Sequence, residues 1–170
     1  AYDECVKSFG KPNVLVNNAG ALGSGKPVHQ ETVAAMMAAF DSNVIGCFLG
    51  MKTVVPGMME LGGGAIVNVS SVWGWSGVAN NAAYQTAKGA CVMLSKNAGV
   101  TYAPHNIRVN CLLPGYVDTP MSRGVTAEEL QRSKARIEPA LAQELRVRAF
   151  RHDRTGVDDD DPVGNFALEH

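Results

Sequence analysis

The sequence lacks the cysteine and charge patterns that mark several classes of protein. Its four cysteines, Cys5, Cys47, Cys91 and Cys111, lie far apart and form no C-x-x-C pair, and its four histidines are scattered. A zinc site or a disulfide framework is therefore not expected, and we predict no bound metal. The formal net charge of −1 provides no long-range attraction for nucleic acid or for an anionic membrane. We expect neither as a partner.

Long apolar runs are also missing. No run reaches the ~18 residues that a membrane-spanning helix needs. The most apolar segment, residues 46–64, is interrupted by Lys52, Pro56 and Glu60. No basic region followed by an apolar stretch is present, so no secretion signal is expected. Cysteines on apolar segments are typical of reducing conditions, so we predict a cytoplasmic protein.

What is present is an alternation of strand and helix patterns over most of the 170 residues. Short apolar runs bounded by glycine or proline predict strands at residues 14–16, 65–69 and 108–113. Helical spacing of apolar residues predicts helices at about 31–61, with a bend or end at Pro56, and at about 82–103. Such alternation is typical of right-handed βαβ units. We predict an α/β fold with a parallel sheet and helices on both faces, a three-layer αβα arrangement.

A tyrosine and a lysine four residues apart, Tyr84 and Lys88, share one face of the second predicted helix. A nearby ammonium favours the phenolate and lowers a tyrosine's pKa, which suits proton transfer to a substrate oxygen. A surface pair is the simpler interpretation of the two residues alone. Ser71, at the end of the strand before this helix, can face the same crevice, although it could equally cap a turn. Asn43, inside the first helix, needs hydrogen-bond partners if buried, and it could open the helix locally and hold a water.

Five segments, in this order, resemble the short-chain dehydrogenases/reductases, which are Rossmann-like oxidoreductases that use NAD or NADP. They are NNAG at 17–20, SNVIG around Asn43, IVNVSS ending at Ser71, YQTAK from Tyr84 to Lys88, and RVNCLLPGYVDTPM at 108–121. The resemblance covers about residues 11 to 121, roughly two-thirds of the chain.

The resemblance implies a role for each matching residue. Tyr84 would be the general acid/base, Lys88 would lower its pKa and bond the nicotinamide ribose, Ser71 would orient the substrate oxygen, and Asn43 would anchor a proton-relay water. Besides Tyr84 and Lys88, the residues implied to border the cofactor are Asn17, Ala19, Gly20, Pro114, Gly115, Val117 and Thr119. Hydride would move between NAD or NADP and a small-molecule alcohol or carbonyl substrate. Packing of the two long helices between subunits would give a homodimer or homotetramer.

The sequence departs from the family pattern at both ends. The glycine-rich turn that cradles the pyrophosphate is absent, so we expect weak or lost cofactor binding and a fold truncated on its N-terminal side and incomplete on its C-terminal side. Residues 1–150 would form a partial Rossmann-like catalytic domain, with a helix from Thr126 to about residue 150. Residues 151–170 would be a loosely ordered tail, whose last three residues resemble the start of a purification tag. The first and third strands would be exposed sheet edges that favour self-association.

Two other functions are compatible with the same residues. A cofactor-independent ester hydrolase could use Ser71 as nucleophile with Tyr84 and Lys88, although no G-x-S-x-G elbow is present. A non-catalytic fragment is the other alternative. The identity of the substrate and the preference between NAD and NADP are not encoded in any segment that we can interpret.

Overall fold

The short apolar runs form three parallel strands in a single sheet. The computed structural model describes residues 1–122 together with Thr126, Glu128 and Gln131. The strands are β1 (Val14–Asn17), β2 (Gly64–Val69) and β3 (Ile107–Leu112). Their order is β1-β2-β3, with β1 and β3 each paired in parallel to β2. The predicted strands and the Rossmann-like parallel α/β fold are confirmed, and β1 and β3 are the edges of the described sheet.

Within residues 1–122, four α-helices accompany the strands, and the two long helical segments agree with the predicted ones. The helices are α1 (Tyr2–Phe9), α2 (Val33–Phe40), α3 (Gly46–Glu60) and α4 (Ala82–Tyr102). Between α2 and α3 the helix continues in π form over Asp41–Ile45, where the Gly46 N–H bonds to the Asp41 carbonyl five residues back. The helix does not end at Pro56, because that residue is exposed while Val55 and Gly57 on either side are packed into the core.

The core lies between one face of the sheet and the helices α3 and α4. Alternate strand residues face these helices, and Met58 and Ile66 are fully buried between them. On the opposite face the exposed fractions are 59% for Val14, 58% for Val16 and 45% for Leu112. The described residues therefore form a two-layer arrangement, and the second helical layer of the predicted three-layer fold is not among them.

One described segment has the length and composition of a membrane span. It is Val33–Glu60, a helix of 28 residues in which 17% of the most apolar window is buried. Core helices of α/β domains satisfy the same criteria. Met51, Val54 and Met58 of this segment belong to the core cluster beside the sheet.

The chain divides into two compact units, Ala1–Val117 and Asp118–His170. In the second unit, Pro120–Ser122 form a 3₁₀ turn in which the Ser122 N–H donates to the Thr119 carbonyl at 3.0 Å. The predicted helix from Thr126 to about residue 150 lies almost wholly outside the described residues, and the predicted tail at 151–170 lies entirely outside them.

Candidate active site

The polar residues singled out in the sequence meet at the carboxyl-terminal edge of the sheet. Because the strands are parallel, the loops after Asn17, Val69 and Leu112 all leave from this edge. Two backbone hydrogen bonds join the second and third loops: the Ser70 N–H donates to the Leu112 carbonyl at 2.8 Å, and the Val72 N–H donates to the Pro114 carbonyl at 3.0 Å. The turn that carries Ser71 is thereby fixed beside Pro114.

Ser71 and Tyr84, predicted to face one crevice, lie close to each other. Ser71 caps a short 3₁₀ helix, where its hydroxyl accepts the Trp73 N–H at 3.2 Å. Its hydroxyl is also close enough to the Tyr84 phenol to lower the pKa of that phenol. The Trp73 ring stands edge-on to the Tyr84 ring at a centroid separation of 6.4 Å, which holds the phenol in place. Ser71 and Tyr84 each retain 8% exposure.

Lys88 lies one helical turn after Tyr84, with its ammonium over the tyrosine ring. The Nζ atom is 5.7 Å from the ring centroid and donates to the Val69 carbonyl at 3.0 Å. Burial lowers the pKa of Lys88 from its ordinary value. The prediction of a lowered pKa for Tyr84 is wrong for the chain as described: burial raises the pKa of Tyr84, and the hydrogen bond with Ser71 offsets this only in part. The cause is that desolvation disfavours the charged form of both groups.

Asn43 occupies the middle of the π-helical segment, as expected for a residue that opens the helix locally. Its Nδ2 atom donates to the carbonyls of Ala39 and Ala21, each at 2.9 Å. The carbonyl of Ala39, four residues back, is one that a regular helix would pair with the Asn43 backbone N–H. The Oδ1 atom of Asn43 is buried and has no hydrogen-bond partner within the described part of the chain.

Gly20 brings the first loop against Asn43 and Lys88. A Cβ atom added to Gly20 would lie 2.8 Å from the Asn43 Oδ1 and 3.2 Å from the Lys88 Nζ. Only a residue without a side chain fits at that separation. The Asn43 Oδ1 atom, the Lys88 ammonium and Gly20 therefore lie together next to Tyr84. We call this group the polar corner. This corner suits a ligand or water that donates a hydrogen bond to Asn43.

Asn17, implied by the resemblance to border the cofactor, joins the central strands β1 and β2. Its Nδ2 atom donates to the Asn68 Oδ1 at 2.8 Å and to the Cys47 carbonyl at 3.3 Å. Asn68 in turn donates to the Ser95 hydroxyl at 2.9 Å. Asn68 was not singled out in the sequence, although one polar residue in an otherwise apolar strand is the signal that would have found it.

The other residues predicted to border the cofactor fall into two groups. Ala19, Gly115 and Val117 are exposed near the carboxyl-terminal edge, beyond β1 and β3. A Cβ atom on Gly115 would meet nothing within 4 Å, so this position does not require glycine for packing. Thr119 belongs to the second unit, where its N–H donates to the Ser122 hydroxyl at 3.0 Å.

Sequence reasoning missed the residues that fasten the Ser71 turn to α4. The Ser70 hydroxyl donates to the Lys88 carbonyl at 2.8 Å. A Cβ atom on Gly74 would lie 2.8 Å from that same carbonyl oxygen. The backbone of the turn therefore packs directly against the backbone of α4, with no room for a side chain. A Cβ atom on Gly23 would similarly lie 3.0 Å from the Tyr84 backbone nitrogen. Such contacts depend on tertiary packing, so the sequence contains no local signal that distinguishes these glycines from others.

Three cysteines gather in the core behind Lys88. Cys47 from α3, Cys91 from α4 and Cys111 from β3 are buried and free, and the Sγ atoms of Cys47 and Cys91 are 3.8 Å apart. A hydrogen bond with Cys111 raises the pKa of Cys91 to about 11, and a hydrogen bond with Cys91 raises that of Cys47. The Cys47 and Cys91 thiols are therefore protonated at neutral pH, unlike a reactive cysteine, whereas the interaction with Cys91 lowers the pKa of Cys111.

The fold and the arrangement of these residues agree with the comparisons with known proteins. A family model described as short chain dehydrogenase matches residues 1–130. The chain belongs to the short-chain dehydrogenase/reductase family.

Individual relatives give the same result. The chain is 41% identical over 126 residues to cis-4-hydroxycyclohexanecarboxylate dehydrogenase of Sinomonas cyclohexanicum, covering 74% of this chain and 51% of the relative. Among solved structures, a gluconate 5-dehydrogenase from Burkholderia cenocepacia in complex with NADP and tartrate matches with a TM-score of 0.71 and 31% identity, covering 76% of this chain and 51% of that one. An NAD+-bound xylitol dehydrogenase matches with a TM-score of 0.69 and 34% identity, covering 84% and 58%. The chain spans about half the length of the curated relatives that it matches.

Proposed function

We propose that the chain carries the catalytic part of an NAD(P)-dependent oxidoreductase that interconverts a small alcohol and its carbonyl compound. The observation that carries the proposal is the convergence of Ser71, Tyr84, Lys88 and Asn43 at one edge of the sheet, in a chain of this family. Relatives named as dehydrogenases of cyclic alcohols support a substrate of that class.

Tyr84 is the proposed general acid/base. Burial raises its pKa, so the phenol is protonated near neutral pH and is ready to donate its proton to a substrate carbonyl oxygen. The Ser71 hydroxyl, which interacts with the phenol, would hold that oxygen beside it. In the reverse direction the same phenolic oxygen would take the proton from the substrate alcohol, a step that needs extra stabilisation of the phenolate.

The polar corner formed by Gly20, Asn43 and Lys88 fits the ribose side of a nicotinamide cofactor. Ribose hydroxyls both donate and accept hydrogen bonds, and the corner offers a buried acceptor at Asn43 Oδ1 and a donor at Lys88 Nζ. When bound, NAD or NADP supplies or accepts the hydride. Lys88 would hold a ribose hydroxyl and bring positive charge towards Tyr84, and Asn43 would keep a water in place behind Lys88. Asn17, Ala19, Pro114, Gly115, Val117 and Thr119 are the further residues proposed to border the cofactor.

The test is to measure cofactor binding and turnover separately. Quenching of Trp73 and Trp75 fluorescence during titration with NADH and NADPH measures binding, and a panel of cyclic secondary alcohols and ketones measures turnover. Tyr84→Phe should lower kcat by roughly 10²- to 10⁴-fold, since it removes the proton donor, while cofactor binding is retained. Tyr102→Phe, the same change at the end of the same helix, is the matched control and should leave kcat unchanged. Binding should be weak because the glycine-rich turn is absent from the chain, and absence of binding of either cofactor to a folded chain at high cofactor concentration would refute the proposal for this chain.

Two properties of the whole protein are part of the same proposal. We propose a homodimer or homotetramer, supported by apolar side chains on the outer sides of the long helices, where Leu49 is 51% and Met93 is 62% exposed. We also propose a cytoplasmic location, supported by four cysteines that are all free. No specific observation favours the ester hydrolase, since a buried tyrosine with a raised pKa is a poor base for Ser71.

A further inference from the structure

We propose that Gln85 is a positioning residue that fixes residues 75–81 as a wall of the substrate site. The inference rests on the proposed function and adds to it a determinant of substrate affinity. Residues 75–81 belong to the connection between Ser71, which caps a short 3₁₀ helix, and Tyr84 on α4. In this proposal the segment borders a substrate oxygen held between those two side chains.

Gln85 pairs with both backbone groups of one residue in the segment. Its Oε1 atom accepts the Val78 N–H at 2.9 Å, and its Nε2 atom donates to the Val78 carbonyl at 2.7 Å. A longer contact of 3.5 Å joins Nε2 to the Asn80 carbonyl. Pairing with the N–H and the carbonyl of one residue fixes its orientation as well as its position, as a neighbouring strand would.

The segment needs such support because its last two residues are conformationally unfavourable. Asn80 and Asn81 both have left-handed backbones, with φ angles of 54° and 98°. Two successive residues of this kind persist only where surrounding contacts hold them. Besides Gln85, the Lys26 carbonyl accepts the Asn81 N–H at 3.0 Å. Gln85 and the loop after β1 therefore hold the segment from two sides.

The position of Gln85 links the segment to the reacting group. Gln85 directly follows Tyr84 on α4, so the wall is fixed relative to the same helical turn that carries the phenol. At the other end of the connection, Trp73 packs edge-on against Tyr84. Both polar atoms of the Gln85 side chain are used on the segment, so its effect on the reaction is indirect. It should act on substrate affinity and leave proton transfer unchanged.

The experiment compares Gln85→Met and Gln85→Glu with Thr86→Ala, an exposed neighbour whose hydroxyl bonds only to the Ala82 carbonyl of its own helix. Hydrogen exchange of the Val78 amide is followed by mass spectrometry without cofactor. Acrylamide quenching of Trp73 is measured in a Trp75→Phe background. Gln85→Met should speed Val78 exchange about tenfold, because that N–H loses its acceptor. Gln85→Glu retains an acceptor for the Val78 N–H but sets a carboxylate oxygen against the Val78 carbonyl, so its exchange rate should lie between those of the parent chain and Gln85→Met.

If the parent chain turns over a substrate, Gln85→Met should raise KM about tenfold and leave kcat within about threefold of the parent value, with an unchanged pH profile. Unaltered Val78 exchange and Trp73 quenching in Gln85→Met would overturn the proposal, and so would a fall in kcat with KM unchanged. A parent chain without turnover counts against the proposed oxidoreductase function alone. In that case, hydrogen exchange of Val78 and acrylamide quenching of Trp73 still test whether Gln85 fixes the segment.

Discussion

At the scale of single residues, the candidate site is governed by burial. Lys88 and Tyr84 are 5% and 8% exposed, and desolvation favours the neutral form of each. The i, i+4 spacing correctly predicted that they share a helix face. It did not predict the direction of the Tyr84 pKa, because burial depends on the turn and loop that cover the helix.

The Lys88 pKa leads to a prediction about stability. Because its folded-state pKa lies below the ordinary 10.5, the unfolded chain binds more protons between those two values. The free energy of unfolding contributed by Lys88 therefore rises with pH across that window. Lys88→Met should remove this rise, as measured by urea denaturation followed by circular dichroism from about pH 7 to 10. Lys52→Met, an exposed position on α3, is the control and should follow the parent chain. Parallel curves for the parent and Lys88→Met would contradict the prediction.

At the scale of elements, α3 approaches the sheet through a glycine. A Cβ atom on Gly50 would lie 2.3 Å from the Asn17 Oδ1. The Asn17 amide could relieve this clash only by breaking its hydrogen bond to Asn68. The sequence predicted this helix and the strands to within a few residues, because apolar periodicity and glycine punctuation are local signals. The π-helical segment and the Asn17–Asn68 pair depend on register between distant segments, so local patterns indicated only that Asn43 could open its helix.

Gly50→Ala should accordingly destabilise the fold by about 1–3 kcal/mol, although alanine is the better helix former. Gly46→Ala is the matched control in the same helix, since its Cβ would meet only the Asp41 carbonyl at an ordinary 3.9 Å. Chemical denaturation measures both variants. Equal stabilities for the two variants would show that the Asn17 amide adjusts without loss.

At the scale of the whole molecule, apolar side chains remain uncovered on two sides of the described residues. One is the sheet face with Val14 and Val16, and the other is the outer side of the long helices with Leu49 and Met93. Contiguous exposed apolar surface marks a contact region. Local sequence patterns gave the amphipathic character of these elements, but which faces stay open depends on the set of neighbouring elements.

If the long helices form the subunit interface, Leu49→Lys with Met93→Lys should shift the protein to a monomer, since burying two ammonium groups in that contact is unfavourable. Sedimentation velocity measures the shift, and circular dichroism should be unchanged. Val14→Thr with Val16→Thr on the sheet face is the control and should leave the oligomeric state as it was. A dimer that survives the lysine pair would assign the contact to another surface.

The burial of three of the four cysteines also allows the opening of the domain to be measured from the reactivity of its own thiols. Cys5 is only partly covered, whereas Cys47, Cys91 and Cys111 are held between α3, α4 and β3. A thiol-specific reagent should therefore modify one cysteine quickly and the other three together, at the rate at which these elements separate. Counting modified thiols over time would thus measure the opening rate of the domain without any engineered label.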